Sequence, residues 1–158
     1  MSDQEMALEA FMTWKGRGDD ARLFWSFYNG HSWSNQQASA GGAFGTSHSP
    51  ALALFRGRLY MSWKGIGNDA RLFWSTLYES SWSDQQVVAG GAYGTSAGPA
   101  LAVVKGKLIL AWKGVGNDAR LFWSLFDGNS WSDQHAVAAG AFGTSHSPAL
   151  VSLQLFNL

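Results

Sequence analysis

The chain repeats itself with a period of 49 residues, and that constrains its fold more than any other feature. Trp14-Lys15-Gly16 recurs as Trp63-Lys64-Gly65 and Trp112-Lys113-Gly114, and Gly45-Thr46-Ser47 recurs as Gly94-Thr95-Ser96 and Gly143-Thr144-Ser145. Between residues 63–101 and 112–150, 27 of 39 positions are identical without a gap. One supersecondary unit has been copied, so explaining one unit explains the chain. Any chemistry carried by the unit is present several times, which suits a multivalent binder better than an enzyme with one asymmetric pocket.

The unit reads as strands. In the middle copy, residues 49–55 (SPALALF) are small and apolar, Arg56-Gly57 punctuates, and residues 58–64 (RLYMSWK) resume, which is a hairpin signal. A glycine-rich loop, residues 65–69, leads into residues 70–78 (ARLFWSTLY). Residues 79–81 then turn the chain into residues 82–89 (WSDQQVVA). Glycine, serine and aromatics recur too often for a sustained helical face. The exception is residues 2–6, where Ser2 and Glu5 can form a capping box and a short helical turn.

Strand order follows from residue size. Ala51, Ala53, Ala100, Ala102 and Ala149 place small side chains on the first strand, whereas Asp84, Gln85 and Gln86 on the fourth suit an exposed edge. Small inside and polar outside is the pattern of a β-propeller blade. The expected fold is therefore all-β: a propeller of 49-residue, four-stranded blades, with three blade-equivalents in one repeat domain spanning residues 1–158. The units run over about residues 14–62, 63–111 and 112–158. The termini are out of phase, since residues 9–15 align with the second strand of the unit and residues 147–153 with the first. Strand 147–153 should close the broken blade by pairing with strand 9–15, most simply of a partner chain, because three blades fall short of the roughly four that close a ring. Two chains make a six-bladed homodimer. The alternative is a monomeric β-trefoil, which also assembles three repeats in a chain of this length.

Pro99-Ala100-Leu101, residues 108–112, Arg120 to Trp123 and the run from Asp127 to Trp131 resemble the blades of propeller lectins and sialidase-like propellers. Residues 124–131 (SLFDGNSW) are similar to the sialidase Asp-box, with Asp127 one position late and Asn29 and Glu79 in the other units. That motif is a turn device and argues for fold rather than hydrolysis. A sialidase-like site needs an arginine cluster converging on one centre. Arg22, Arg71 and Arg120 are copies of one position and point into equivalent sites instead. His31, His48, His135 and His146 have no zinc-ligand spacing, and no nucleophile motif is present, so the expectation is a non-enzyme without cofactor or metal.

Binding is better supported. In a four-stranded blade the second-to-third and fourth-to-first connections emerge on one face, and here both are long and glycine-rich. That face should present Lys64, Asn68, Asp69 and Arg71, with Tyr93 and Thr95 from the adjacent connection. The equivalents are Lys15, Asp20 and Arg22 in the first unit and Lys113, Asn117, Asp118 and Arg120 in the third. Trp25, Trp74 and Trp123 offer aromatic platforms, although packing between blades competes for them. Cationic and carboxylate groups beside an aromatic ring suit a sugar's hydroxyls and C–H face. The expected function is a multivalent carbohydrate-binding lectin with shallow sites between blades, its partners a glycan and a second copy of itself; the alternative is a structural or protein-interaction propeller. Eleven basic and eleven acidic residues cancel, which argues against nucleic acid and membrane surfaces as partners. The absence of cysteine excludes disulfides. The first residues carry no basic and apolar leader pattern, so a cytoplasmic location is the default expectation.

Overall fold

A computed structural model describes residues 10–153; the capping-box turn at residues 2–6 lies outside them. Twelve strands form three antiparallel sheets that follow the repeat. The first sheet is β1 (Ala10–Lys15), β2 (Leu23–Tyr28) and β3 (Gln37–Ala38). The second is β4 (Ala51–Phe55), β5 (Arg58–Lys64), β6 (Leu72–Tyr78), β7 (Ser81–Trp82) and β8 (Gln86–Val87), with both short strands on β6. The third is β9 (Ala100–Val104), β10 (Lys107–Lys113), β11 (Leu121–Phe126) and β12 (His135–Ala136). Apart from β8 on β6, neighbours in space are neighbours in sequence, and the sheets do not close into the barrel that a trefoil requires.

The expected hairpins form. Arg56-Gly57 and Lys105-Gly106 turn with positive φ at both residues (52° and 78°; 48° and 77°), the mirror-image turn whose twist matches two flanking strands. The fourth strand departs from expectation: in place of a continuous residue 82–89 strand there are two short pieces, β7 and β8. Ser83 explains the break. Its Oγ accepts the Thr76 N–H at 3.0 Å, and its carbonyl accepts from the Ser75 hydroxyl at 2.7 Å, so side chains take over part of the ladder. Ser34 and Ser132 do the same in the other repeats.

The sheets stack in sequence order, the middle one through both of its faces. Phe11 and Trp25 of the first sheet stack on each other at 5.0 Å between ring centroids, and Phe11 meets Trp82 of the second edge-on. Tyr60 and Trp74 of the second sheet pack against Phe126, and Trp74 also meets Trp131 of the third edge-on. Aromatic residues dominate these layers because a ring buries a large apolar area at little entropic cost. Residues 52–54 of β4, 101–103 of β9 and the segment 150–153 line one open cavity of about 680 Å³, and a side chain on Gly98 would strike the Ser49 carbonyl. Positions 49, 98 and 147 are equivalent in the repeat, so the starts of the three repeats' first segments meet at Gly98.

Residues 147–153 form no strand within the single chain. They line the same cavity as β4 and β9, where Ser152 Oγ accepts the Val103 N–H at 2.7 Å. Among the described residues β1 pairs with β2 alone.

Candidate functional site

The loop from β5 to β6 starts with a buried cation. Lys64 is only 3% exposed, and its three ammonium donors are all taken, by the carbonyls of Gly65 and Gly67 at 3.0 and 2.7 Å and by Ser47 Oγ at 3.1 Å. Burial pushes its pKa below the ordinary lysine value, and nearby Asp69 works the other way. Lys113 is held by the equivalent Gly114, Gly116 and Ser96 and by the Asp118 carbonyl as well, and Lys15 by the carbonyls of Gly16, Gly18 and Asp20. The glycines matter here. A side chain at Gly65 would run into Asp69, and Gly67 has φ of 59°, which L-residues rarely adopt. The lysines therefore organise the loop from beneath, where no donor remains for a ligand.

At the loop's end stands an exposed ion pair. Asp69 Oδ1 and Oδ2 accept from Arg71 Nε and Nη2 at 2.9 and 2.8 Å, and Oδ1 also accepts the Arg71 backbone N–H. The spacing of two residues makes the fork local, so each repeat builds it alike at Asp20–Arg22 and Asp118–Arg120. Hydrogen bonds from the Arg22 and Arg120 side chains are the main reason that the carboxyls of Asp20 and Asp118 are lowered to about 2. Asp69 is lowered for the same reason. Each guanidinium also lies over a ring, Arg71 at 5.1 Å from the centroid of Phe73. Of five N–H donors on Arg71, the carboxylate takes two, leaving three directed outward without a partner among the described residues.

These forks line pockets. One, of about 190 Å³, lies between the connection at Ala43 and Gly45 and the loop and strand carrying Gly65, Ile66, Asp69, Arg71 and Phe73, with Gln85 at its rim. A second, of about 250 Å³, is lined by Ala92, Gly94, Gly114, Val115, Asp118, Arg120, Phe122 and Gln134. Every residue of the second is a residue of the first advanced by 49. Each pocket joins the end of one repeat to the start of the next, as the shared face of the two long connections requires. A side chain at Gly45 or Gly94 would strike Ile66 or Val115, so glycine keeps these walls in contact.

The remaining expected residues fall elsewhere. Thr95 is fully buried, and its hydroxyl caps its own turn, donating to the Ala97 carbonyl and accepting the Ala97 N–H. Tyr93 stacks on Trp112 at 5.4 Å and donates to the Ser132 carbonyl at 2.7 Å. Trp25 is buried, and Trp74 lies between sheets. Trp123 faces an open apolar groove and stacks near His135. Asn68 and Asn117 stay in the loops and line neither pocket. The sequence reading missed Gln85 and Gln134, and the wall of Gly45 with Ile66. Its available signal was a repeated glycine that needs no positive φ, which marks close approach rather than a turn. Asp127 Oδ1 accepts the N–H groups of Asn129 and Ser130, and Asn29 Oδ1 those of His31 and Ser32, so the residues of the Asp-box resemblance are turn-formers. No cluster of three metal-ligating side chains occurs among the described residues, and no helix there is long and apolar enough to cross a membrane.

No protein-family model and no curated protein sequence matches the chain. A solved structure does, a fucose lectin from Kordia zhangzhouensis in complex with methyl-fucoside, with a TM-score of 0.52 over 85% of this chain and 90% of that one. The chain shares its fold with a lectin. At 13% identity the likeness speaks for the fold, and the pockets must be argued from their own geometry.

Proposed function

We propose that this chain is a multivalent carbohydrate-binding lectin whose three sheets are blades of a β-propeller, with equivalent shallow sites between successive blades. The observation that supports it is the pocket built twice at a 49-residue spacing. Each copy offers what a pyranose needs. Outward guanidinium N–H groups donate to hydroxyls, the carboxylate accepts from them, and the glutamine amide does both. The floor is the Phe ring beneath the arginine, and the aliphatic wall is Ile66 or Val115. Both pockets are small and open, which fits monovalent affinity in the millimolar range amplified by several sites on one particle.

In this reading two chains form a ring of six blades, and residues 147–153 of each add to the free edge of the other's β1. The fucose lectin makes a fucoside the first ligand to try. The test is a glycan array followed by calorimetric titration of wild-type protein and of a variant with Arg22, Arg71 and Arg120 replaced by alanine. A charge-assisted hydrogen bond is worth roughly 1.5–3 kcal/mol, so each site should weaken at least about tenfold while the protein stays folded. A folded triple variant that binds as tightly as wild type refutes the pocket assignment. No binding by wild type to any glycan refutes the lectin.

A further inference from the structure

The two ends of the sheet array are cut through contacts that the chain makes twice within itself. Phe44 stacks on Trp63 at 4.8 Å, and Tyr93 on Trp112 at 5.4 Å. The next aromatic in this series is Phe142, and it is 59% exposed where Phe44 is 5% exposed. The indole that starts the series, Trp14, is half-buried, whereas Trp63 and Trp112 are fully buried. A second series is cut in the same way. Trp25 and Trp74 are covered by the sheet that follows them, but Trp123 lines an apolar groove of about 390 Å³ with Ile109 and Leu125. Trp33, whose counterparts Trp82 and Trp131 provide the cover within the chain, is 48% exposed. A third concerns the lysines: Ser47 and Ser96 accept from Lys64 and Lys113, while Ser145 and Lys15 lack each other.

In all three series the last repeat carries one half and the first repeat the other. We propose that a second copy of this chain docks head to tail on this end, and that the junction builds a third pocket completed between the copies. Gly143 of one copy forms one wall, and Gly16, Arg17, Asp20, Arg22 and Phe24 of the other copy form the rest, each the 49-residue counterpart of an internal pocket residue. The Asp20–Arg22 fork is already formed in the single chain and lacks only the facing wall. The third pocket differs in one respect. Arg17 stands where Ile66 and Val115 supply an aliphatic wall, so it presents an additional cation to its ligand. That the pocket takes a sugar rests on the lectin reading; that it forms does not.

The absence of native cysteine makes a direct test possible. A side chain built on Gly94 comes within 3.0 Å of Val115 Cγ2, which is within reach of disulfide geometry. Arg17→Cys with Gly143→Cys in the full chain should therefore oxidise to a band at twice the chain mass on a non-reducing gel. Free thiols after oxidation, or a bond within one chain, overturn the proposal. Independently, wild-type protein should sediment as an assembly, Phe142→Ala as a folded monomer, and Phe142→Tyr, which copies Tyr93, as wild type. A wild-type monomer, or an assembly untouched by Phe142→Ala, overturns it. With methyl-fucoside as probe, Arg22→Ala should lower the count from three sites per chain to two. An unchanged count overturns the third pocket as a ligand site, and absence of all binding in a cross-linked dimer overturns the lectin reading alone.

Discussion

Replacing Lys64 with methionine separates the ammonium from its stem, since the two side chains have similar length and apolar volume. Three charge-assisted hydrogen bonds disappear, and the Gly65 and Gly67 carbonyls lose a donor in a site where the lysine is 3% exposed. Each such bond is worth roughly 1.5–3 kcal/mol, and a buried carbonyl left unpaired costs about 1–3 kcal/mol. Removing the ammonium also abolishes its desolvation penalty, several kcal/mol, which offsets much of the loss. Water reaches Gly67 in the exposed loop and can replace one partner. The net destabilisation should be about 2–4 kcal/mol. For a chain of this size 1 kcal/mol shifts Tm by roughly 2–4 °C, so a loss near 3 kcal/mol lowers it by about 6–12 °C. Urea titration and thermal melting would measure this, with Lys113→Met as a near replicate, because Lys113 repeats the three partners of Lys64 and adds the Asp118 carbonyl at 3.2 Å. Ligand affinity should fall in the pocket above the altered loop and hold in the other. Losses under about 1 kcal/mol in both variants would refute the claim that these lysines hold the loops together.

The turn after the fourth strand places Ala139 at φ 54° where Gly41 and Gly90 stand in the other repeats, with open space around both glycines, so Ala139→Gly should stabilise by about 0.5–1 kcal/mol in urea titration. Lys105, at φ 48° in the mirror-image turn, should gain by a similar amount on substitution with asparagine, checked in the same way. Burial, then the charges of Lys64 and Lys15, lower the pKa of His48 below its ordinary 6.5. The unfolded chain therefore takes up the proton first on acidification: stability is fully present above pH 6.5 and is lost as the pH falls from 6.5 toward the folded value, and His48→Ala should flatten the dependence of Tm on pH in that window. Deleting residues 147–158 should abolish assembly on sedimentation and promote aggregation, because it removes the strand proposed to cover the edge of β1.

Much of the fold was legible because it depends on local features. Strand β5 came out with the expected bounds, since apolar and aromatic residues run unbroken between the Arg56-Gly57 turn and Gly65. The broken fourth strand was not legible: Ser83 reads as a polar residue on an edge, and only its place opposite Ser75 and Thr76 lets its hydroxyl replace a ladder bond. Asp69 and Arg71 were legible as a pair because a two-residue spacing suffices for the fork. The lysines were misleading for a reason that applies widely. A cation at a strand end followed by glycines reads as an exposed donor, yet glycines are what allow backbone carbonyls to fold back over an ammonium and bury it. The pocket was half legible. Its fork is local in sequence, whereas its facing wall comes from the preceding repeat, and only the stacking of one sheet on the next brings Gly45 to Ile66. The same division holds at Asp20 and Arg22, which make their fork unaided, while the wall proposed to complete that pocket comes from a second copy.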